Sequence, residues 1–289
     1  MAANAGSVVH QGSGTLTLTG TNSYPAGTTI NQGTLQVGAG GTNGTVGTGT
    51  INNSGTLVFN RSDSLTFGGV ICGGGSLVQE GTGTTTLTAT NTYLGSTTVR
   101  NGTLIINGDN SAALTFVYAG TLGGTGTLSG PVTMAGGTTI APGASVGTLT
   151  INSDLSIGGN ISVEVNKALS PSSDLVVVSG VLTNTGAGTV NGTNLGSALA
   201  VGDKFTLFSR PVLNGAALTI TGANATWTNS LAVDGSIAVT AVTSVTPPTL
   251  TFSHSGSGGR RLERTLGPEL PLNAWPEQLT PVGNAFSAR

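Results

Sequence analysis

The chain has 289 residues, a net charge of −2 and only 7% charged side chains, against roughly 25% in an ordinary globular protein. That balance leaves no electrostatic footprint for nucleic acid or an anionic membrane surface over most of the length. The 48 glycines are joined by Thr, Ser and Asn at most remaining polar positions, so hydroxyls and amides, not ions, solvate the surface. Abundant glycine with little charge is also a composition of disorder. The pattern argues otherwise, because apolar residues alternate in short β-branched runs bounded by Gly, Asn and Ser.

In chain order, "MAANAGSVVHQGSG" lacks the charged and apolar regions of a secretion signal. Either the protein is not exported or a leader is missing from the sequence. "TLTLTG" (Thr15–Gly20) opens the alternation, and "GTNSYPAGTTINQGTLQVG" (Gly20–Gly38) follows. Variants of the same grammar start at Gly47 ("GTGTINNSGTLVFN") and Gly75 ("GSLVQEG"). "ATNTYLGSTTVRNGTLIING" (Ala89–Gly108) then restates the earlier stretch at one fixed interval, pairing Asn22 with Asn91, Tyr24 with Tyr93 and Leu35 with Leu104. A partial third echo covers Leu128–Ile151.

A fixed interval of roughly 69 residues is the signature of a solenoid. We read it as three coils of about 23 residues, each with three short strands stacking on the coil before at ~4.8 Å. Val, Ile and Leu then form inward ladders, Thr and Asn take the outside or the turns, and Gly takes positive-φ corners. Tyr24 and Tyr93 are expected to cap the same bend in two coils. A β-sandwich is the rival, but it predicts no long-period repeat. The expected fold is an all-β, right-handed parallel β-helix of roughly ten coils, of the order of 50 Å long, with a β-rich C-terminal cap.

Domain boundaries follow composition. Residues 1–146 hold the repeats. Residues 147–246 continue the helix and cap it with larger side chains such as Phe205, Phe208 and Trp227, and Asn166–Asp174 reads as a protruding loop. Residues 247–289 form a linker and tail that holds Arg260, Arg261, Arg264 and Arg289, four of the seven arginines. The tail reads as a partner-binding basic segment, a disordered terminus or residues made non-native by a slipped reading frame.

The quoted stretches resemble the autotransporter-associated β-strand repeat of secreted bacterial passenger regions, over about Gly12–Ala241. The resemblance implies a parallel β-helix exported across the inner membrane and presented extracellularly or at the outer-membrane surface. No export signal precedes the repeats here and no translocator barrel follows them.

No catalytic, cofactor or metal site is expected. Of the acids before Pro247 (Asp63, Glu80, Asp109, Asp154, Glu164, Asp174, Asp203 and Asp234), Asp154 and Asp174 come nearest to one-coil spacing, with the loop inserted between them. Paired carboxylates of fixed separation are what glycoside chemistry needs. The cations of the β region are Arg61, Arg100, Lys167, Lys204 and Arg210, with Arg100 standing where the first copy has Asn31. His10 and His254 fall in flexible-looking segments, and the lone Cys72 reads as a small buried residue. "GTLGGTG" (Gly120–Gly126) resembles a phosphate loop only by chance, since no helix follows. No apolar run reaches the ~20 residues of a membrane span. The expected function is a non-enzymatic structural or adhesive scaffold, a monomer or part of a longer passenger, meeting surface glycans or a host or neighbouring cell surface. The alternative is a carbohydrate-binding or carbohydrate-cleaving β-helix.

Overall fold

A computed structural model describes residues 6–243. The linker and tail, with His254 and the four tail arginines, lie outside the described residues. Successive strands are short and stack in parallel on three sides of a solenoid. The chain starts with β1 (Val8–His10), β2 (Thr15–Leu18), β3 (Thr28–Ile30) and β4 (Thr34–Val37). β1 pairs with β3, and β2 with β4. One side is a nine-stranded sheet running from β2 to Leu182–Asn184, and the second is an eight-stranded sheet from Ser64–Phe67 to Thr219–Gly222. The third side holds two four-stranded sheets in succession, β1 to Ile71–Cys72 and Asp109–Asn110 to Leu175–Val178. Asn91 joins them: its amide donates to Asp109 (2.7 Å), and Thr92 donates to Ile71 (2.9 Å).

Nine strands on the longest side make about eight turns, fewer than the ten expected. Nor is the coil length constant. The inward column runs Leu16, Leu35, Leu57, Leu77, Thr97, Thr115, Val132, Leu155 and Leu182. Its shortest step is Thr115 to Val132 and its longest Leu155 to Leu182. Three turns therefore carry Leu16 to Leu77, and the rest of the repeat interval takes the chain round one corner to Thr85. Thr85 pairs with Leu104 in the eight-stranded sheet, as Leu16 pairs with Leu35 in the nine-stranded one. The two copies of the repeat sit on different sides of the solenoid, so Tyr24 and Tyr93 mark different corners.

Local bonds explain why these residues recur. Asn22 and Asn91 each donate through Nδ2 to the carbonyl two residues back, at 3.1 and 2.9 Å. The hydroxyls of Tyr24 and Tyr93 each meet the threonine four residues on, Thr28 at 3.0 Å and Thr97 at 2.6 Å. Gly33 and Gly102 turn with φ of +69° and +59°, and a Cβ on either would strike carbonyl oxygens of the coil below. The repeat is thus a corner module. Asn also turns corners elsewhere by accepting from the amide two residues ahead, as in Asn53–Gly55, Asn110–Ala112 and Asn184–Gly186 (3.0–3.2 Å).

The core is a stack of aliphatic columns: Leu35, Leu57, Leu77, Leu104, Leu122 and Ile140 are fully buried. Each such side chain contributes about 1.5–3 kcal/mol by leaving water. Threonine does not stay outside as expected. Thr97 and Thr115 fill the inward column and are buried; at Thr97 this works because Tyr93 and Asn110 satisfy the hydroxyl. At the far end the strands turn antiparallel: Ser236–Val242 pairs with both Lys204–Thr206 and Ala225–Ser230. This sheet and the segments flanking it cover the last coil with buried Phe205, Phe208, Leu231 and Ile237. Trp227 packs edge-on to Phe205 at 6.1 Å.

Candidate contact face

The nine-stranded sheet carries the side chains that point away from the inward column in a second column: Thr17, Gln36, Val58, Val78, Thr98, Phe116, Thr133, Ser156 and Thr183, of which Val58 and Val78 are buried. Alternation places them there, since each lies between two inward residues. Phe116 is the one aromatic in the column. Two residues on, just past the end of the same strand, Tyr118 stacks on it with ring centroids 5.9 Å apart and planes 11° from parallel. Tyr118 is 60% exposed and nearby Leu114 41%. Beside the pair, Thr133, Asp154, Ser156, Val181, Thr183 and Thr185 line a shallow groove of about 380 Å³. Asp154 helps shape its rim by accepting from the Val181 amide at 2.7 Å. The sequence offers too little to find this pair, because Phe116 and Tyr118 fall outside the repeated motif and only register aligns them with the groove.

The acids sort differently from their spacing. Asp154 and Asp174 do not share partners. Asp174 instead lies beside Glu164, because the Asn166–Asp174 insertion folds back: Asn166 donates to the Ser172 carbonyl at 2.7 Å, and Val165 bridges Ser173 antiparallel. Asp174 is only 1% exposed. Its carboxylate accepts from the amides of Gly147 (2.8 Å) and Glu164 (2.7 Å). Burial pushes its pKa up to about 7 and the Glu164 charge adds to the rise, while the two amides hold it down. The carboxylate is occupied with backbone, so its geometry ties the loop to the coil below.

The remaining charges pair locally. Arg61 is bidentate to Asp63 (2.8 and 2.7 Å) and donates to the Gly44 carbonyl; that guanidinium holds Asp63 below the usual carboxylate range. Arg100 reaches Glu80 at 3.3 Å on the surface. Lys167 pairs with Asp203 and Lys204 with Asp234. Asp203 is lowered chiefly by the Ala200 amide and Asp234 by Lys204. Asp109 receives a long bond from Thr90, and Arg210 donates to the Gly180 carbonyl. His10 is not in a flexible segment: it ends β1, half-buried, with Nε2 3.0 Å from the Gly14 carbonyl. Cys72 is half-buried and free, not fully buried as expected. Among the described residues no group of three or more His, Cys, Asp or Glu gathers as a metal site would require, and no helix is long and apolar enough to cross a membrane.

Comparison with known proteins meets the repeat at the same places. The family model described as "Passenger-associated-transport-repeat" matches residues 8–37 and 77–106, offset by the same interval that separates Tyr24 from Tyr93. A 62-residue segment is 47% identical to the adhesin BmaC autotransporter of Brucella suis biovar 1 (strain 1330), covering 22% of this chain and 2% of that protein. The chain therefore spans a small fraction of that relative's length. The chain thus carries two segments similar to passenger-associated-transport repeats, both built into a stacked β-solenoid.

Proposed function

We propose that the chain is a non-enzymatic passenger scaffold, presented outside the cell, whose outward sheet face makes adhesive contacts. The observation that carries this reading is the passenger repeat itself, matched at 8–37 and 77–106, in a solenoid held by main-chain ladders. A relative named as an adhesin supports the same use. The surface chemistry narrows the partner. The outward column is uncharged; its half-buried Phe116 carries the exposed Tyr118 stacked on it, and its Thr133, Ser156 and Thr183 help line a groove that also takes Thr185 and Asp154. Aromatic faces and hydroxyls suit the faces and hydroxyls of a neutral glycan on a cell surface.

The binding test uses fluorescently labelled chain on intact epithelial or bacterial cells and on a panel of neutral glycans. Saturable binding that falls about tenfold or more in a Phe116→Ala/Tyr118→Ala variant, with an unchanged far-UV spectrum, supports the reading. No saturable binding, or binding indifferent to both changes, sinks it. Among the described residues the cleaving alternative has the Glu164–Asp174 pair to work with, and Asp174 is buried against backbone amides. Release of reducing ends from the same glycans, abolished by Asp174→Asn, would overturn the non-enzymatic assignment.

A further inference from the structure

The two copies of the corner differ at one residue in a way that matters chemically. Gln32-Gly33 in the first copy is Asn101-Gly102 in the second, at the same interval that separates Tyr24 from Tyr93. Both glycines turn with positive φ. Asn101 is exposed in the turn between the strands Thr97–Val99 and Thr103–Ile106. The Gly102 amide donates to Asn101 Oδ1 at 2.8 Å. Among the described residues it takes no main-chain partner from a neighbouring coil. That bond draws the Asn101 side-chain carbon toward the Gly102 nitrogen, in the direction of the ~3–3.5 Å separation at which reacting atoms are poised. Glycine has no side chain to shield its nitrogen. Gln32 is longer by a methylene, and its Nε2 is tied to the Gln11 carbonyl at 2.6 Å.

We infer that Asn101 is a self-modification site, which converts without an enzyme to aspartate and isoaspartate. Base from solvent takes the Gly102 amide proton, and the nitrogen attacks Asn101 Cγ. A C–N bond forms, the Cγ–Nδ2 bond breaks and ammonia leaves, so that a five-membered succinimide remains. Water then opens the ring. Attack at Cγ gives aspartate, and attack at the main-chain carbonyl gives isoaspartate, with the chain running through Cβ. Water is consumed, ammonia is released and nothing is oxidised or reduced. The other Asn-Gly pairs among the described residues are placed differently. The Gly108 and Gly215 amides donate to the carbonyls of Leu87 (3.3 Å) and Val212 (2.9 Å). Gly192 lies inside a strand paired on both sides. Asn43 is exposed, but Gly44 is buried at a φ of +103° and no side-chain bond of this kind joins the two. Conversion gives Arg100, which reaches Glu80 at 3.3 Å, a new carboxylate as its neighbour in the chain. Isoaspartate also adds an atom to a corner that leaves no room for a Cβ against the Gly81 and Gly83 carbonyls. The second corner therefore changes with age while the first does not.

Asn43-Gly44-Thr45 has the same local sequence as Asn101-Gly102-Thr103 and serves as the internal reference. The full chain is aged in mildly alkaline buffer at body temperature and its peptides are followed by mass spectrometry, with residues located by fragmentation. Residue 101 should gain the mass difference between a hydroxyl and an amino group at least about threefold faster than residue 43. Isoaspartate-specific carboxyl methylation should label the same position. In urea the two side chains lose their folded positions, and their rates should come within about twofold of each other. Asn101→Gln, which installs the residue of the first copy, should remove the labelled site and leave the urea midpoint where it was. An unchanged residue 101, a folded-state advantage below about threefold, an advantage that persists in urea, or labelling that survives Asn101→Gln would each overturn the inference.

Discussion

Removing the Tyr93 hydroxyl is the sharpest test of the corner module, because Tyr24 in the first copy of the motif supplies the control. The Tyr93 hydroxyl lies 2.6 Å from Thr97 Oγ1 and 2.7 Å from Asn110 Nδ2, and all three residues are buried. In Tyr93→Phe, Asn110 Nδ2 keeps only a long 3.3 Å bond to Thr97. Leaving a buried donor short of a partner costs about 2 kcal/mol. Tyr24→Phe deletes the equivalent bond to Thr28 (3.0 Å), but Tyr24 is half-exposed and water replaces the partner, so about 0.5 kcal/mol is expected. In urea unfolding followed by far-UV circular dichroism, a slope of about 3 kcal/mol/M turns the first loss into a midpoint shift of about 0.7 M. Burial also pushes the Tyr93 phenol up to about 12, above its ordinary value of 10. Folding therefore loses stability as the pH climbs from 10 through 12, and Tyr93→Phe should flatten that loss. Equal midpoint shifts for the two variants, or a Tyr93→Phe shift under about 0.2 M, would refute the network argument.

Gly102→Ala places a Cβ hard against the Gly83 carbonyl oxygen at a φ of +59°. It should cost about 2–4 kcal/mol in urea unfolding, the sum of strain and forced separation of coils. Gly137→Ala has a φ of +79° and nothing within 4 Å, so about 1 kcal/mol of strain alone is expected there. Asp174 is protonated more readily folded than unfolded, so its contribution is full below about pH 4 and fades as the pH rises to about 7. Stability should fall across that window by up to about 1.4 kcal/mol per pH unit, and Asp174→Asn should remove the slope. Asp63, Asp203 and Asp234, whose values are lowered, act in the opposite sense, and only as the pH drops below about 4. Raising salt from about 0.05 to about 0.5 M should move the unfolding midpoint by less than the equivalent of about 1 kcal/mol, since of the four ion pairs among the described residues two are exposed at both partners and a third is half-exposed.

The stacked β architecture is legible because alternation and repetition are one-dimensional signals. "TLTLTG" and "GTLIING" declare strands, and the echo of Asn22-Ser23-Tyr24 in Asn91-Thr92-Tyr93 declares a solenoid. The coil length is not legible, because the interval counts coils only if each copy returns to the same side. Steps as unequal as Thr115 to Val132 and Leu155 to Leu182 show how freely a coil can shorten or lengthen, and the second copy lands one side over. Thr97 and Thr115 elude the sequence for a related reason. Threonine suits a strand facing either way, and at Thr97 only the partners Tyr93 and Asn110, brought by register, make burial tolerable. The Glu164–Asp174 pair escapes a search for one-coil spacing because a hairpin, not stacking, brings the two together. The stacked rings of Phe116 and Tyr118 are close neighbours in the chain, but nothing in the sequence says that a groove lies next to them.

These particulars bear on how such a chain is free to change its contacts. Its strength resides in inward columns and main-chain ladders, and its corners are fixed by a few Asn, Tyr and Gly residues whose bonds are local. An outward residue such as Thr98 or Thr133 touches neither system. Exchanging Thr98 for an aromatic therefore asks nothing of the core, and the same holds at Thr133 and Ser156. Phe116 stands between Thr98 and Thr133 in that column, so the same sheet already accommodates an aromatic there. A Gly102 or Tyr93 change, by contrast, is felt by the coil below or by two buried polar partners. A solenoid built this way separates what must be kept from what can vary, side chain by side chain along each strand, with the variable positions confined to every second residue.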